Sequence, residues 1–270
     1  MSLDVCCWVL WFKIKQLYGF FCMINKWNQQ QFWILGLLLI GLNWSWIPGA
    51  IAEPQSELSA QSLFRQAYEN RYTWDENFPG YTAEVSVNYR GNFDQGLIRV
   101  EPDLTVSVSN LEDEEVAEII QSQLQMEAIH RRLVSFDQLH GKHQFKLDGQ
   151  EETGVINIEE IAGDRPESYY QVKDNQITQV NRVFGQIAVK VDTLGTTDTP
   201  EGYLVSHFQT FFYNANTGDL LEREDVRDFH EKIGKYYLLT NRTIRYAEDE
   251  NPEDKLTADL LIRFNDIQPL

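Results

Sequence analysis

Alternation of apolar and polar residues with a period of two is the feature of this sequence that most restricts its fold. In residues 81–89, Ala83, Val85 and Val87 alternate with polar neighbours. Successive side chains of a strand point to opposite faces, so this pattern predicts a strand with one buried face. The pattern recurs to the end of the chain with short turns between. It predicts an α+β fold, mostly β: a curved antiparallel sheet (half-barrel) packed on one long helix, with a leading N-terminal helix.

The predicted strands occupy most of the chain after residue 80. They are residues 81–89, 97–101, 104–109, 143–147, 155–161, 168–172, 176–184, 186–194, 203–213, 220–229, 236–246 and 256–267. Residues 173–176 (Lys-Asp-Asn-Gln) predict a tight hairpin, and residues 214–218 predict another turn. The segment 247–254 reads as an acidic loop between the last two strands.

Two segments have the three- and four-residue apolar spacing of helices. The first begins near Ser59, a good N-cap, and ends before the Phe78-Pro-Gly turn. The second opens at Asn110, with acidic residues in its first turn and basic residues at its end, as the helix dipole favours. Its apolar stripe from Val116 to Leu133 predicts packing across a sheet face.

The N-terminal part has the pattern of an export signal. A basic start at Met23, an apolar run over residues 32–42 and a small-residue end at Ala52 predict a signal peptide at 23–52. Residues 1–22 are interpreted as an extension upstream of the true start. Residues 53–270 then form a single exported β-rich domain, in the periplasm or the thylakoid lumen. Membrane contact is expected only through the uncleaved leader.

Composition narrows the possible partners. All three cysteines and six of the seven tryptophans precede residue 53, so the exported domain has no disulfide and only Trp74. The formal net charge is −18, and loss of three lysines and one aspartate with the leader would make it more negative. This charge opposes binding to nucleic acid and favours a basic protein partner.

Several motifs resemble a known family. They are residues 67–74 (Ala-Tyr-Glu-Asn-Arg-Tyr-Thr-Trp), the following Phe-Pro-Gly-Tyr of 78–81, and segments 213–218, 226–230 and 236–242. Together they resemble a family of exported cyanobacterial proteins catalogued as a domain of unknown function. The resemblance implies a periplasmic or lumenal setting and no particular activity. The leading helix and long meander are also similar in architecture to the lipoprotein-carrier half-barrels of the Lol type.

No catalytic or cofactor motif is visible in the sequence. It lacks a nucleophile elbow, a phosphate loop and a dinucleotide fingerprint, so no catalytic residue and no cofactor is predicted. His140 and His143 have the spacing of a short ligand pair, but we interpret them as two exposed histidines at a turn and strand edge. His230-Glu231 lacks the second histidine of a zinc-protease helix. No metal site is therefore predicted.

Aromatic residues at a helix-to-strand junction and along one strand are the best candidates for ligand binding. The proposed set is Arg71, Tyr72, Trp74, Phe78, Tyr81, Tyr203, Phe211 and Tyr213. Such residues line the mouths of cavities, and they also serve as plugs that close one end of a core. Arg71 would meet a ligand head group or an acidic neighbour.

These observations leave three functional hypotheses. The first is non-enzymatic binding or carriage of an apolar or amphipathic ligand (lipid, pigment or lipidated protein) in the half-barrel. The second is an acidic scaffold or assembly factor that binds another exported protein. The third is a hydrolase with an unrecognised pair of carboxylates about 5–10 Å apart.

Overall fold

The structure is a computed structural model that describes residues 59–163, 165–247 and 259–270. The predicted signal peptide at 23–52, the extension at 1–22 and most of the acidic loop at 247–254 lie outside the described residues.

One open, curved, antiparallel sheet of twelve strands dominates the described part of the chain. The strands are β1 (Tyr81–Tyr89), β2 (Asn92–Val100), β3 (Val106–Ser109), β4 (Gln144–Gln150), β5 (Ile156–Ala162), β6 (Arg165–Lys173), β7 (Gln176–Phe184), β8 (Ile187–Thr199), β9 (Gly202–Asn214), β10 (Leu220–Ile233), β11 (Tyr236–Ala247) and β12 (Leu260–Pro269). Their order is β3-β2-β1-β12-β11-β10-β9-β8-β7-β6-β5-β4. The mostly β prediction is therefore confirmed.

Three helices accompany the sheet in the described ranges: α1 (Ala60–Glu69), α2 (Glu114–Arg131) and α3 (Phe136–Leu139). Ser59 caps α1 by accepting from the Ser62 amide, as the sequence predicts, whereas Asp113 rather than Asn110 caps α2. The short helix α3 was not predicted. No helix among the described residues is long and apolar enough to cross a membrane.

The expectation that the sheet packs on one long helix is not confirmed, because the helices are short beside the sheet. An 18-residue helix spans about 27 Å, whereas twelve strands side by side span about 50 Å. Two helices therefore cover two parts of the sheet. Helix α2 contributes Val116, Ile120 and Leu124 to one core cluster, and α1 contributes Phe64 and Ala67 to another.

Turn chemistry explains where strand boundaries differ from the prediction. Strand β2 begins at Asn92 rather than at residue 97, because Arg90 and Gly91 alone form the turn, both with positive φ (51° and 90°). The hairpin at 173–176 has the predicted form. Lys173 pairs with Gln176 there, and the two residues between them also have positive φ.

Candidate functional site

The aromatic segment after α1 is buried in the core. Tyr72, Trp74, Phe78 and Tyr81 are each at most 4% exposed. Trp74 stacks on Phe78 with 4.1 Å between ring centroids and 9° between planes. The pKa of Tyr81 is raised above its ordinary value, and burial is the largest cause of this shift. All four side chains belong to the main core cluster, and a ligand would reach them only if the core opened. Their role in ligand binding stays a prediction.

Backbone pairing holds this aromatic segment against the sheet. The Tyr72 amide donates to the Tyr203 carbonyl and the Tyr203 amide donates to the Asn70 carbonyl, both at 2.9 Å. Gly202 makes this approach possible, because a Cβ there would lie 2.5 Å from the Asn70 oxygen. The segment after α1 is thereby fixed to β9.

Of the other predicted ligand residues, Arg71 and Tyr203 adjoin the aromatic segment, whereas Phe211 and Tyr213 lie apart from it. The Arg71 guanidinium lies 3.9 Å from the Tyr68 ring centroid and its Nε donates to the Tyr68 carbonyl. Tyr203 is buried, and its hydroxyl accepts from the Ile177 amide at 3.1 Å. Phe211 and Tyr213 lie farther along β9, with centroids 6.2 Å apart. The eight candidates therefore do not converge on one cavity.

A groove of about 570 Å³ runs over strands β6 to β9 and includes one of the predicted residues. Its lining residues are Ala162, Arg165, Pro166, Glu167, Tyr169, Asn181, Arg182, Val183, Ala188, Val189, Lys190 and Tyr213. Tyr169, Asn181, Lys190 and Phe211 are successive cross-strand partners and so form one row on one face of the sheet. On the opposite face, Tyr170 packs against the core that α1 covers.

A second feature near this groove is a cluster around the carboxylate of Glu160. Nδ1 of His140 and Nδ1 of His143 lie 2.5 and 2.6 Å from its Oε1, and the Tyr170 hydroxyl donates to Oε2 at 2.7 Å. Burial raises the pKa of Glu160, but these donors outweigh it and lower that pKa to about 2. Burial also raises the pKa of Tyr170 to about 12.

The interpretation of His140 and His143 as two exposed histidines is wrong. His140 is 6% exposed and packs edge-on against Phe64, with 5.2 Å between ring centroids. The His143 side chain is 18% exposed. Both rings turn inward because Glu160, which follows them by seventeen residues or more, lies between them on β5. Sequence spacing could suggest the histidine pair, but no local pattern marks Glu160 as its partner.

A third cluster joins α2 to strands β10 and β11. Arg242 donates from Nε and Nη2 to the Asp228 carboxylate at 2.7 and 2.6 Å, and its Nη2 lies 3.4 Å from Glu127 Oε2. Arg131 and His230 also reach Glu127, at 2.8 and 3.0 Å. Burial raises the pKa of Glu127, but Arg131, His230 and Arg242 together hold it well below its usual range.

This third cluster bears on the hydrolase hypothesis. Oxygens of Glu127 and Asp228 lie within 4.8 Å of each other, so a close pair of carboxylates exists. A general acid must stay protonated, with a raised pKa. The lowered pKa of Glu127 does not suit that role. Its partner Asp228 is bonded to Arg242 through both oxygens.

The described domain matches one known protein family. A family model described as "Protein of unknown function (DUF3386)" matches residues 55–270. The chain belongs to this family. The resemblance to a domain of unknown function that the sequence motifs indicate is thereby confirmed. The matched range coincides with nearly all of the predicted exported domain.

No curated protein matches the chain. Among solved structures, the chain is similar to one titled "Crystal structure of MucB in complex with MucA(peri)", with 11% identity, 78% of this chain and 98% of that chain covered, and a TM-score of 0.14. At that TM-score the likeness carries no argument for fold or function.

Proposed function

We propose that the chain is a non-enzymatic, exported binding protein whose ligand is amphipathic, with an acyl chain and an acidic head group. The groove over β6 to β9 is the observation that carries this proposal. Its volume of about 570 Å³ lies within the range of about 300–1,000 Å³ usual for small-molecule sites. The buried aromatic segment is closed, so the proposal places the ligand beside Tyr213 rather than beside Trp74.

Apolar side chains in the groove supply contacts for the acyl chain. Val183 is 64% exposed and Tyr169 is 42% exposed, large fractions for apolar side chains on a sheet. Tyr213 closes the β9 side of the groove and stacks on Phe211. Burial of such surface stabilises a complex by about 25 cal/mol per Å².

Three cationic side chains, those of Arg165, Arg182 and Lys190, line the groove beside one carboxylate, Glu167, and fit an acidic head group. Lys190 lies with its Nζ 4.2 Å from the Phe211 ring centroid and 3.0 Å from Asp192 Oδ2. Arg165 is exposed at the start of β6. In a chain with a net charge of −18, this local excess of cations favours a carboxylate at this place.

The test is calorimetric titration of the full-length chain with oleate and, separately, with oleyl alcohol. We expect saturable binding of one oleate per chain and weaker binding of the alcohol, which lacks the charge. Val183→Asp should weaken oleate binding at least tenfold, because it places a buried charge against the acyl chain.

The matched control is Leu194→Asp, which changes another exposed apolar residue of the same sheet outside the groove. It should leave oleate affinity unchanged. Equal effects of the two substitutions, or no oleate binding by folded protein, would contradict the proposal.

The acidic scaffold is the second candidate, and the charge of −18 is the observation that favours it. It places a basic exported protein, rather than a small molecule, on the surface of the sheet. Pull-downs at low and high salt test it, since screening weakens contacts between exposed charges. A partner retained equally at both salt concentrations would contradict this candidate.

A further inference from the structure

The cluster around Glu160 brings metal-binding atoms from three elements to one point. His140 follows α3, His143 precedes β4, and Glu160 lies on β5. The three donor atoms all lie within 4.8 Å of one another. Imidazole nitrogens with carboxylate oxygens are the donor set typical of zinc sites in proteins.

The surrounding structure holds these donors in place before any ligand arrives. Ser135 and Gln138 form a capping box at α3, which positions His140 at its end. Gly141 permits the tight turn that follows, because a Cβ there would lie 2.4 Å from the Asp137 carbonyl oxygen. Glu160 is fully buried, so its carboxylate is fixed between the two rings.

A further carboxylate, that of Glu167, lies beside His143 but outside the group of donors that are within 4.8 Å of one another. Oε2 of Glu167 lies 3.6 Å from His143 Nδ1, and that carboxylate is 41% exposed. The Tyr170 hydroxyl donates a hydrogen bond to Oε2 of Glu160, while Oε1 of the same carboxylate faces the imidazoles. Such hydrogen bonds from outside the ligand set orient the ligands of metal sites.

The Glu160 and Glu127 clusters differ in the number of guanidinium groups that contact their carboxylates. In the Glu127 cluster, Arg131 and Arg242 already bind the carboxylates at 2.6–3.4 Å, so a dication would meet two guanidinium groups. In the Glu160 cluster the nearest guanidinium is Arg182, 3.9 Å from Oε2. Two carboxylates with two neutral imidazoles would balance a dication.

We propose that His140 Nδ1, His143 Nδ1, Glu160 Oε1 and Glu167 Oε2 form a binding site for Zn²⁺. Tetrahedral coordination at about 2.1 Å places neighbouring donors about 3.4 Å apart, so each ring nitrogen moves back from Glu160 by under about 1 Å. The partly exposed Glu167 side chain turns toward the other three donors. Tyr170 and Arg182 then hold the Glu160 carboxylate from behind. The site adjoins the groove through Glu167 and does not depend on the proposed function.

The experiment uses the full-length chain, freed of metal with a chelator and dialysed. Zn²⁺ is titrated by calorimetry without any fatty acid, and bound metal is counted by elemental analysis. We expect one zinc per chain. Co²⁺ in place of Zn²⁺ should give the visible absorption of tetrahedral coordination.

Three variants make the assignment specific. His143→Gln should weaken Zn²⁺ binding at least tenfold, and Glu167→Gln should weaken it less, because Glu167 is the most exposed donor. The matched control is His207→Gln. It removes a half-buried histidine of β9 that pairs with Asp225 of β10. It should leave Zn²⁺ binding unchanged.

Two outcomes would overturn the proposal: no stoichiometric zinc on the folded wild-type chain, or equal losses in the His143 and His207 variants. Circular dichroism of each variant shows that it is folded. Failure here leaves the oleate experiment untouched, so the two proposals are tested separately.

Discussion

Trp74 donates its indole Nε1–H to the backbone carbonyl of Tyr237 across 3.1 Å, which links the segment after α1 to β11. The same strand residue donates its amide to the Tyr72 hydroxyl at 2.8 Å. Two side chains of the aromatic segment thus satisfy both backbone groups of Tyr237. These two hydrogen bonds hold the aromatic segment in the core.

Trp74→Ala should strongly destabilise the protein. The substitution removes a ring that is 2% exposed and its hydrogen bond, and leaves a cavity that Phe78 alone does not fill. We expect a loss of about 3–5 kcal/mol in the free energy of unfolding, measured by urea denaturation with circular dichroism. Phe93→Ala, at a ring 82% exposed, is the control and should change stability by under about 0.5 kcal/mol. Similar losses in both variants would contradict the burial of Trp74.

Glu127→Gln should destabilise the protein in a pH-dependent way. At neutral pH the substitution leaves Arg131 without its buried counter-charge and leaves Arg242 with Asp228 alone, which costs about 3–5 kcal/mol. The folded pKa of Glu127 is lowered from 4.5, so its charge contributes stability fully above that pH and loses it as the pH falls. The difference from wild type should therefore shrink below about pH 4.5.

The control for that measurement is Glu118→Gln, at an exposed position of the same helix. Its unfolding free energy should match wild type at every pH. A stability difference for Glu127→Gln that stays constant from pH 7 to pH 3 would show that the charge does not carry the effect.

Gly202→Ala should break the attachment of the aromatic segment to β9. The new Cβ would lie 2.9 Å from both the Arg71 carbonyl carbon and the Tyr72 nitrogen, where backbone atoms block relaxation. Gly185→Ala is the matched control, with positive φ and open space around the Cβ. Thermal unfolding should show Gly202→Ala to be about 1–3 kcal/mol less stable than the control. Equal melting temperatures would contradict the close approach.

Asp113→Ala should weaken the start of α2. The Asp113 carboxylate accepts from the Glu115 and Val116 amides at 2.9 and 3.3 Å, and these amides have no partner within the helix. We expect a loss of about 1 kcal/mol in the free energy of unfolding. Asp113→Asn keeps an accepting oxygen and should restore most of it. An Asn variant as unstable as the Ala variant would assign the effect to charge instead of capping.

Local sequence signals predicted most of the fold. Period-two alternation predicted β1, β7 and the long strands β9 to β11, because each buries one face or both. The positive-φ pair in the hairpin at 173–176 follows from residues that tolerate that backbone. Short turns also favour pairing of consecutive strands as neighbours, but they do not imply the pairing of β1 with β12, at the two ends of the sheet sequence. The signal peptide, the export and the compartment stay predictions.

The sequence by itself therefore determined a mostly β meander, its turns, the cap at Ser59 and membership of a family through the motif at 67–74. Only the tertiary structure decided that Trp74 is buried, that Glu160 lies between His140 and His143, and that Glu127 meets Arg242. Residues in these contacts are separated by 17 to 163 positions. Periodicity reports which face of a strand a side chain occupies, but not which distant side chain faces it. That choice depends on the register and packing of the whole sheet.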